Sequence, residues 1–346
     1  MGLGNFFQST PIIKLIKAQK SNVSIDVIGG SPWISPSFIK NNFPIRKIHL
    51  YNNSWSRINK IKFFWNLRRE RYDKILIAMT DESRAFRNYF LLINSKATVV
   101  MMYTGLDLVQ KLLDHFYHLK KNINLIQYLP GTHEIDMHYN LYQSFVDSPI
   151  KREYETINIS NGKEVDVILE KFNLKNIKYI VVAPSARSGM VTPKLIPPHI
   201  IKAVIKHYSK FTSLKFVGIG TIGDNEWIKE NVVIKNFINI AGNTTIEEAA
   251  IIMKNAICNI LPDSGSMHIA HSVKANIVAV YGPTDFYRTR SIGDNVRYVH
   301  SKNKNWCIMF NNHMSEVEVF QKFGNSIMND IKIDDLLSEI DYFADK

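Results

Sequence analysis

The chain has 346 residues, 45% of them hydrophobic and 21% charged, which is typical of a globular protein long enough to form two domains. Two cysteines, Cys258 and Cys307, are too few for a disulfide scaffold, and no apolar run approaches the ~20 residues that a membrane-spanning helix needs. The N-terminus also lacks the apolar core of a secretory signal. These features predict a soluble, cytoplasmic protein.

The net charge of +12 indicates an anionic partner or substrate. Nucleic acid is not predicted, because the sequence has no zinc-finger, RNP or helix-turn-helix signature. An anionic membrane surface is a second option, since basic residues can hold a peripheral enzyme there. A Lys-, Ile- and Asn-rich composition without functional meaning explains the charge equally well.

Strands and helices alternate along the first half of the chain. Gly2-Leu3-Gly4-Asn5 predicts a glycine-rich turn, followed by a helix that Ser9 or Thr10 caps and Pro11 begins. Further strands are predicted at 24–28, 47–50, 74–79 and 98–102, and helices at 56–71, 82–93, 106–119 and 135–145. This alternation predicts a doubly wound parallel sheet.

The second half repeats the pattern, and each of its main strands ends in a Gly- or Pro-marked turn. Strands are predicted at 178–183, 214–217, 256–261 and 277–281, with turns at 184–187, 218–223, 262–265 and 282–285. Ligands of open α/β sheets bind outside the carboxyl ends of the strands. We therefore expect these four turns to meet at one edge of a single parallel sheet.

The turn at 262–265 has the features of an anion site. Asp263 and Ser264 are good N-cap residues for the following helix, and Gly265 allows a ligand to approach the backbone. The free N–H groups and positive dipole end of such a helix favour an anion, for example a diphosphate.

The same turn carries a family resemblance. The run D-S-G-S-M-H-I-A at 263–270, followed after a strand by G-P-T-D at 282–285, resembles the signature of glycosyltransferase family 9, the lipopolysaccharide heptosyltransferases and their relatives. That signature is D-[ST]-G-x-x-H-x-A, a hydrophobic strand and G-x-T-D. The resemblance covers most of the second half and, more weakly, residues 2–17 and 72–100.

The resemblance implies a GT-B fold, in which two Rossmann-like domains face each other across a cleft. The expected parts are an acceptor-binding domain at 1–150, a connection at 151–177, a sugar-nucleotide-binding domain at 178–325 and a C-terminal helix at 326–346 that packs back on the first domain. The chain starts inside the family's G-x-G-[DN] turn, so the first strand of the N-terminal domain is missing. Either the start codon is assigned too late or the protein lacks that strand.

The resemblance also implies donor-binding residues, each of which has a simpler reading as a cap or a solvated side chain. Lys194 matches the family's K-x-W-P with Ile196 at the Trp position, and its ammonium would stabilise charge on a leaving diphosphate. The implied donor-binding residues are Ser185, Lys194, Thr244, Asp263, Ser264, Gly265 and His268.

Asn5 is the implied catalytic residue and a departure from the pattern. Relatives often have Asp there, as the general base for the acceptor hydroxyl, and an amide cannot take up a proton usefully at pH 7. Either Asn5 orients the acceptor while another group is the base, or the protein is weakly active. Base candidates in the first domain are Asp81, Glu82, His133 and Glu134. The basic cluster Arg68, Arg69 and Arg71 could meet acceptor phosphates or simply be a solvated helix face.

No metal or cofactor is predicted. His268 and His271 share a helix face but have no further ligands at metal spacing, and there is no D-x-D motif. We expect His271 to be structural. Gly218-x-Gly220-x-x-Gly223 matches the dinucleotide fingerprint, but the strand predicted at 232–234 is not followed by the acidic residue that holds a ribose.

The function that the resemblance implies is inverting transfer of a sugar, typically heptose from ADP-heptose, to a hydroxyl of a lipopolysaccharide core or related glycolipid. Peripheral contact with the cytoplasmic face of the inner membrane would accompany it. Two alternatives remain: a GT-B transferase that uses a UDP- or GDP-sugar, and a sugar-nucleotide-binding protein with little catalysis, which Asn5 motivates.

Overall fold

The computed structural model describes residues 3–29, 42–77 except residue 53, 98–103, 123–127, 129, 131–154, 165–186, 192–210, 213–309 and 314–345. The chain forms two compact units, Met1–Tyr154 and Glu155–Lys346, and the boundary falls within the predicted connection at 151–177. The helices predicted at 82–93 and 106–119 lie outside the described residues. None of the described helices has the length and hydropathy required to cross a membrane.

The first unit is an α/β structure in which every described strand pairing is parallel. Its strands form two ladders, β1 with β2 and β3 with β4 and β5. No strand precedes α1 in the part of this unit that is described. Its elements are α1 (Leu3–Gln19), β1 (Asp26–Gly29), β2 (Lys47–Leu50), α2 (Arg57–Arg69), β3 (Lys74–Ile77), β4 (Thr98–Tyr103), β5 (Ile123–Gln127) and α3 (Glu134–Gln143).

Helix α1 corrects the prediction for the N-terminus. The predicted turn at 2–5 is helical from Leu3, and Pro11 lies inside the helix rather than at its first position. Proline has no N–H to donate to the carbonyl four residues earlier. The Thr10 hydroxyl donates to that carbonyl of Phe7 instead, at 2.7 Å, and the Ser9 hydroxyl donates to the carbonyl of Phe6. Thr10 therefore satisfies the acceptor that the proline leaves open, and the helix continues.

Helix α3 packs on α1 and against β3 and β4. Ile12 of α1 joins Ile135, Tyr139 and Tyr142 of α3 in one hydrophobic cluster. This packing fixes the first turn of α1 beside the start of α3 and brings two residues of the candidate site together.

The second unit is built on one six-stranded parallel sheet with the order β11-β10-β9-β6-β7-β8. Its strands are β6 (Tyr179–Val182), β7 (Lys215–Gly218), β8 (Phe237–Asn239), β9 (Asn259–Pro262), β10 (Ile277–Tyr281) and β11 (Val296–His300). This is the strand order of a doubly wound dinucleotide-binding fold, and it reverses between β6 and β9. The expectation that the four turns lie at one sheet edge is confirmed, apart from Arg187, which is not among the described residues.

The helices of this unit connect and cover the sheet. They are α4 (Val165–Lys171), α5 (Pro198–Ser209), α6 (Ile222–Asn231), α7 (Ile246–Lys254), α8 (Gly265–Ser272), α9 (Phe286–Thr289), α10 (Glu316–Phe323), α11 (Ser326–Asn329) and α12 (Ile333–Ala344). The strand predicted at 232–234 is wrong: Val232 is the C-cap of α6, with its N–H bonded to the carbonyl of Ile228, and the chain enters β8 only at Phe237.

The C-terminal helix differs from the expectation that it packs back on the first domain. Helix α12 contacts α5, β10 and β11, and Leu336, Ile340 and Phe343 belong to the core of the second unit. The Tyr208 hydroxyl donates to Asp341 at 2.5 Å, which ties α5 to α12. A helix with a strong apolar stripe covers the nearest exposed apolar surface, and here that surface is its own unit's sheet.

Candidate functional site

Two predicted donor-binding residues meet where the strand order of the second unit reverses. Asp263 directly follows β9, and Lys194 lies in the segment that follows β6, the strand beside β9. The Lys194 ammonium donates to Asp263 Oδ2 at 3.1 Å and to the Asp263 backbone carbonyl at 3.3 Å. The side chains are 14% and 9% exposed, so this is a nearly buried ion pair.

The electrostatics of the pair keep Asp263 ionised. Burial alone would raise the pKa of its carboxyl, but the Lys194 ammonium and then His268 and Thr289 outweigh burial and hold the pKa below the ordinary value. A carboxyl with a lowered folded-state pKa stabilises the protein above its unfolded pKa, and this stabilisation is lost as the pH falls. The pair is therefore a fixed cation and anion at neutral pH.

The segment that carries Lys194 is held from both sides. The Thr192 hydroxyl accepts from the Lys194 N–H at 3.3 Å and donates to Glu316 Oε1, at the first turn of α10, at 2.8 Å. Ile196, at the Trp position of the K-x-W-P motif that this segment resembles, is fully buried and donates its N–H to the Pro184 carbonyl. Lys194 thus extends from an anchored loop.

Helix α8 begins at this site and carries the remaining motif residues. Ser264 is its N-cap by backbone position, but contrary to expectation its side chain makes no capping bond; its Oγ lies 2.6 Å from Ser266 Oγ. Gly265 is the first helical residue. His268 is buried on the next turn, and its electrostatic interaction with Asp263 helps to lower the pKa of that carboxyl. His271 is structural as expected: its Nε2 donates to the Ile292 carbonyl at 3.0 Å.

Ser185 is held by Asp224, which is not among the predicted site residues. Its hydroxyl donates to Asp224 Oδ1 at 2.5 Å, and Asp224 Oδ2 accepts from the Thr221 N–H and hydroxyl, both at 2.7 Å. A Cβ at Gly220, whose φ is +146°, would lie 2.6 Å from Asp224 Oδ2. Glycine is therefore required there, and buried Asp224 fixes the turn after β7 to the turn after β6.

We expect Asp224→Ala to lower the free energy of unfolding by about 1–3 kcal/mol, because buried donors of Ser185 and Thr221 lose their acceptor. Urea unfolding at 25 °C measures this. Glu226→Ala removes a carboxylate from an exposed position of the same helix and is expected to change the value by less than about 0.5 kcal/mol. Equal effects of the two substitutions would contradict the role given to Asp224.

Thr244 follows a strand that is distant from the Lys194–Asp263 pair in the sheet. It is half-buried and lies between β8 and α7, and β8 is three strands from β9 in the sheet. The neighbouring Thr245 forms a capping box with Glu248 at the start of α7. The donor contact of Thr244 stays a prediction.

Asn5 lies in the first unit, on α1, and meets one of the alternative base candidates. Its amide Nδ2 donates to Glu134 Oε1 at 3.1 Å. Asn5 is exposed, whereas Glu134 is 6% exposed and is the first residue of α3, after the N-cap His133. The Asn5 amide thus fixes the orientation of the Glu134 carboxyl group. Asp81 and Glu82 lie outside the described residues.

Signals for some missed residues were present in the sequence. Thr221-Ile-Gly-Asp224 has the T-x-x-D form of a capping box, which would have marked Asp224 as an oriented carboxylate. Thr192 and Glu316 are far apart in sequence, and the residues around them do not predict their contact. In the described ranges, no three His, Cys, Asp or Glu side chains are grouped so that they could hold a metal ion.

Comparison with known proteins agrees with the family resemblance of the sequence motifs. The model of glycosyltransferase family 9 (heptosyltransferase) matches residues 61–317. Lipopolysaccharide heptosyltransferase 1 of Campylobacter coli is 23% identical over 301 residues, which are 83% of this chain and 83% of that protein.

Solved structures share the fold. Escherichia coli ADP-heptose lipopolysaccharide heptosyltransferase II superimposes with a TM-score of 0.70 at 16% identity, over 99% of this chain and 96% of that one. E. coli heptosyltransferase WaaC with ADP gives a TM-score of 0.67 at 12% identity, over 99% and 97%. The predicted GT-B fold class is thereby confirmed. With a family match that spans most of its length, the chain belongs to glycosyltransferase family 9, the heptosyltransferase family, and is a glycosyltransferase.

Proposed function

We propose that this enzyme transfers heptose from ADP-heptose to a hydroxyl of a lipopolysaccharide core or related surface glycolipid, with inversion at the anomeric carbon. The observation that carries the proposal is the nearly buried Lys194–Asp263 pair beside His268, at the strand reversal of a family 9 sheet. Its support includes two structural relatives, one described as an ADP-heptose enzyme and one as containing ADP.

Donor binding would use the groups at the end of β9. The N–H groups at the start of α8, with Ser264 and Gly265, suit the diphosphate, since a helix N-terminus attracts anions. Lys194 supplies a fixed positive charge where the leaving diphosphate gains negative charge as its bond to the sugar breaks. Asp263, held by Lys194, would accept from a sugar hydroxyl, and His268 would donate to the diphosphate. We infer that Ser185 and Thr244 complete the donor site.

Acceptor activation would use Glu134 together with Asn5. As the acceptor oxygen bonds to the anomeric carbon, the bond from that carbon to the diphosphate oxygen breaks and ADP leaves. The hydroxyl proton must pass to a base, and a carboxylate can take it whereas an amide cannot. Asn5 then orients Glu134 and the acceptor, and the chain keeps a base despite its departure from the family pattern.

The partners follow from this chemistry. They are a nucleotide-sugar donor and a glycolipid acceptor, reached on the cytoplasmic face of the inner membrane by a peripheral enzyme that needs neither nucleic acid nor a metal cofactor. A sugar-nucleotide-binding protein with little turnover is the alternative that Asn5 favours.

A thermal-shift panel tests the donor. ADP and ADP-heptose at about 100 times their dissociation constants are expected to stabilise the protein by about 2.7 kcal/mol, whereas UDP- and GDP-sugars leave the melting temperature unchanged. Lys206→Met, an exposed lysine of α5, serves as the control and keeps the shift. A shift with a UDP- or GDP-sugar alone would reject ADP-heptose as donor, and no shift with any nucleotide would reject the site.

A further inference from the structure

Helix α2 carries apolar side chains on its solvent side. Ile58 is 65% exposed, Ile61 41% and Trp65 49%. Positions 58, 61 and 65 are three and four residues apart, so their side chains lie on one face of the helix. The opposite face already packs inward through Phe64 and Leu67, which are buried. The helix therefore has two apolar faces, and the outer one is not needed for the core of its unit.

Basic side chains surround these apolar residues. Lys62 and Arg69 are exposed and continue the stripe of Ile58 and Trp65, at spacings of four, three and four residues. Arg68 is also exposed and lies over the Trp65 ring, with 5.6 Å from its guanidinium carbon to the ring centroid. We call Ile58, Ile61, Trp65, Lys62, Arg68 and Arg69 the α2 outer face.

No acidic residue offsets this charge within the helix, because the sequence from Arg57 to Arg69 contains none. Glu70 follows directly, but its carboxylate is bound by Arg46 at 3.0 Å and Lys47 at 2.9 Å. The outer face thus combines exposed Ile and Trp with a uniformly positive rim. Indole rings favour the boundary between water and lipid, and Lys and Arg side chains reach the phosphates of the headgroups.

We propose that the α2 outer face is a membrane-docking surface that binds an anionic phospholipid bilayer. Ile58, Ile61 and Trp65 enter the headgroup region, while Lys62, Arg68 and Arg69 contact lipid phosphates. Charge complementarity selects this occupant over a second copy of the chain, whose own outer face has the same positive charge and would repel it. The proposal goes beyond sugar transfer and concerns the first unit alone, without donor or acceptor.

Vesicle co-sedimentation of the full chain tests it, without nucleotide sugar or glycolipid. Vesicles of phosphatidylcholine and phosphatidylglycerol are expected to pellet the protein, pure phosphatidylcholine much less, and added salt lowers the binding. The Ile58→Asn/Ile61→Asn/Trp65→Asn variant and the Lys62→Glu/Arg69→Glu variant each lower the partition coefficient about tenfold or more. Because the substituted side chains are exposed, both variants should melt as the wild type does.

Matched controls change exposed residues of the second unit. Val167→Asn/Val233→Asn removes side chains that are 63% and 77% exposed, and Lys206→Glu/Lys210→Glu reverses two exposed charges. Both controls should bind vesicles like the wild type. The proposal is overturned if the α2 variants also bind like the wild type, if neutral and anionic vesicles bind equally, or if the apolar variant instead abolishes a dimer seen by sedimentation equilibrium. Because no sugar is present, failure here leaves the proposed transfer reaction untouched.

Discussion

Replacing Lys194 with methionine is expected to abolish measurable donor binding and to lower the free energy of unfolding by about 3–5 kcal/mol. If Lys194 were only a solvated side chain, its replacement would hardly change the stability of the fold. The structure changes that expectation, because Lys194 neutralises a carboxylate that is only 9% exposed. Removal of one partner of such a pair leaves the other charge buried without compensation.

The pH dependence of this variant follows from the pKa of Asp263. With Lys194 present the pKa lies below the ordinary value; without it, burial raises the pKa and only His268 and Thr289 oppose the rise. A raised folded-state pKa means that stability is lost as the pH rises, since the folded protein holds the proton more tightly than the unfolded chain. The destabilisation should therefore be larger at about pH 8 than at about pH 5, as urea unfolding at the two values can measure.

A second substitution separates stability from function. Lys194→Met/Asp263→Asn removes both charges and should recover much of the stability that the single variant loses, while donor binding stays absent. Isothermal titration with ADP supplies the binding readout. Donor affinity equal to that of the wild type in the folded double variant would exclude these two residues from the donor site.

Replacing Glu134 with glutamine is expected to lower kcat by about 10²–10⁴-fold, the usual contribution of general-base assistance. The glutamine amide keeps the size of the side chain but cannot take up the proton of the attacking sugar hydroxyl. ADP affinity should be unchanged, because the proposed donor residues belong to the other unit. Glu153→Gln is the matched control, since it is a half-exposed glutamate of the same unit that pairs only weakly with exposed Lys151. Control-like activity of Glu134→Gln would remove it as the base.

Asn5→Asp tests the same assignment through pH. An aspartate there would place a second carboxylate at hydrogen-bond distance from Glu134 Oε1, where the Asn5 amide now lies 3.1 Å away. Two like charges this close disfavour joint ionisation and raise the pKa of the pair. A base must be deprotonated to act, so the acidic limb of kcat/KM should move to higher pH. An unmoved limb would mean that Asn5 and Glu134 do not act on the same proton.

The strands and strand ends of the second unit were predictable because buried parallel strands are continuous apolar runs that end at Gly or Pro. β10 (Ile277–Tyr281), entirely buried, is the clearest example. β11 (Val296–His300) was missed because it is an edge strand in which only Val296 and Val299 are buried, and β8 because it has only three residues. Short or half-exposed strands carry too little apolar pattern to be recognised.

The candidate site was predictable as a set of turns, but its pairings were not. Lys194 and Asp263 are 69 residues apart, and only the order of β6 and β9 in the sheet makes them neighbours. The contact of Asn5 with Glu134 likewise depends on how α1 packs on α3. That the helix continues through Pro11 was also not predictable, because it depends on the Thr10 hydroxyl, which supplies the hydrogen bond that proline cannot.

The most direct measurement is transfer of radiolabelled heptose from ADP-heptose to lipopolysaccharide that lacks heptose, with UDP- and GDP-sugars in parallel. We expect label to enter the glycolipid with one ADP released for each sugar transferred, and the new linkage to have the anomeric configuration opposite to that of the donor. Transfer from a UDP- or GDP-sugar alone, or folded wild type that binds ADP-heptose without transferring it, would contradict the assignment as a heptosyltransferase that uses ADP-heptose.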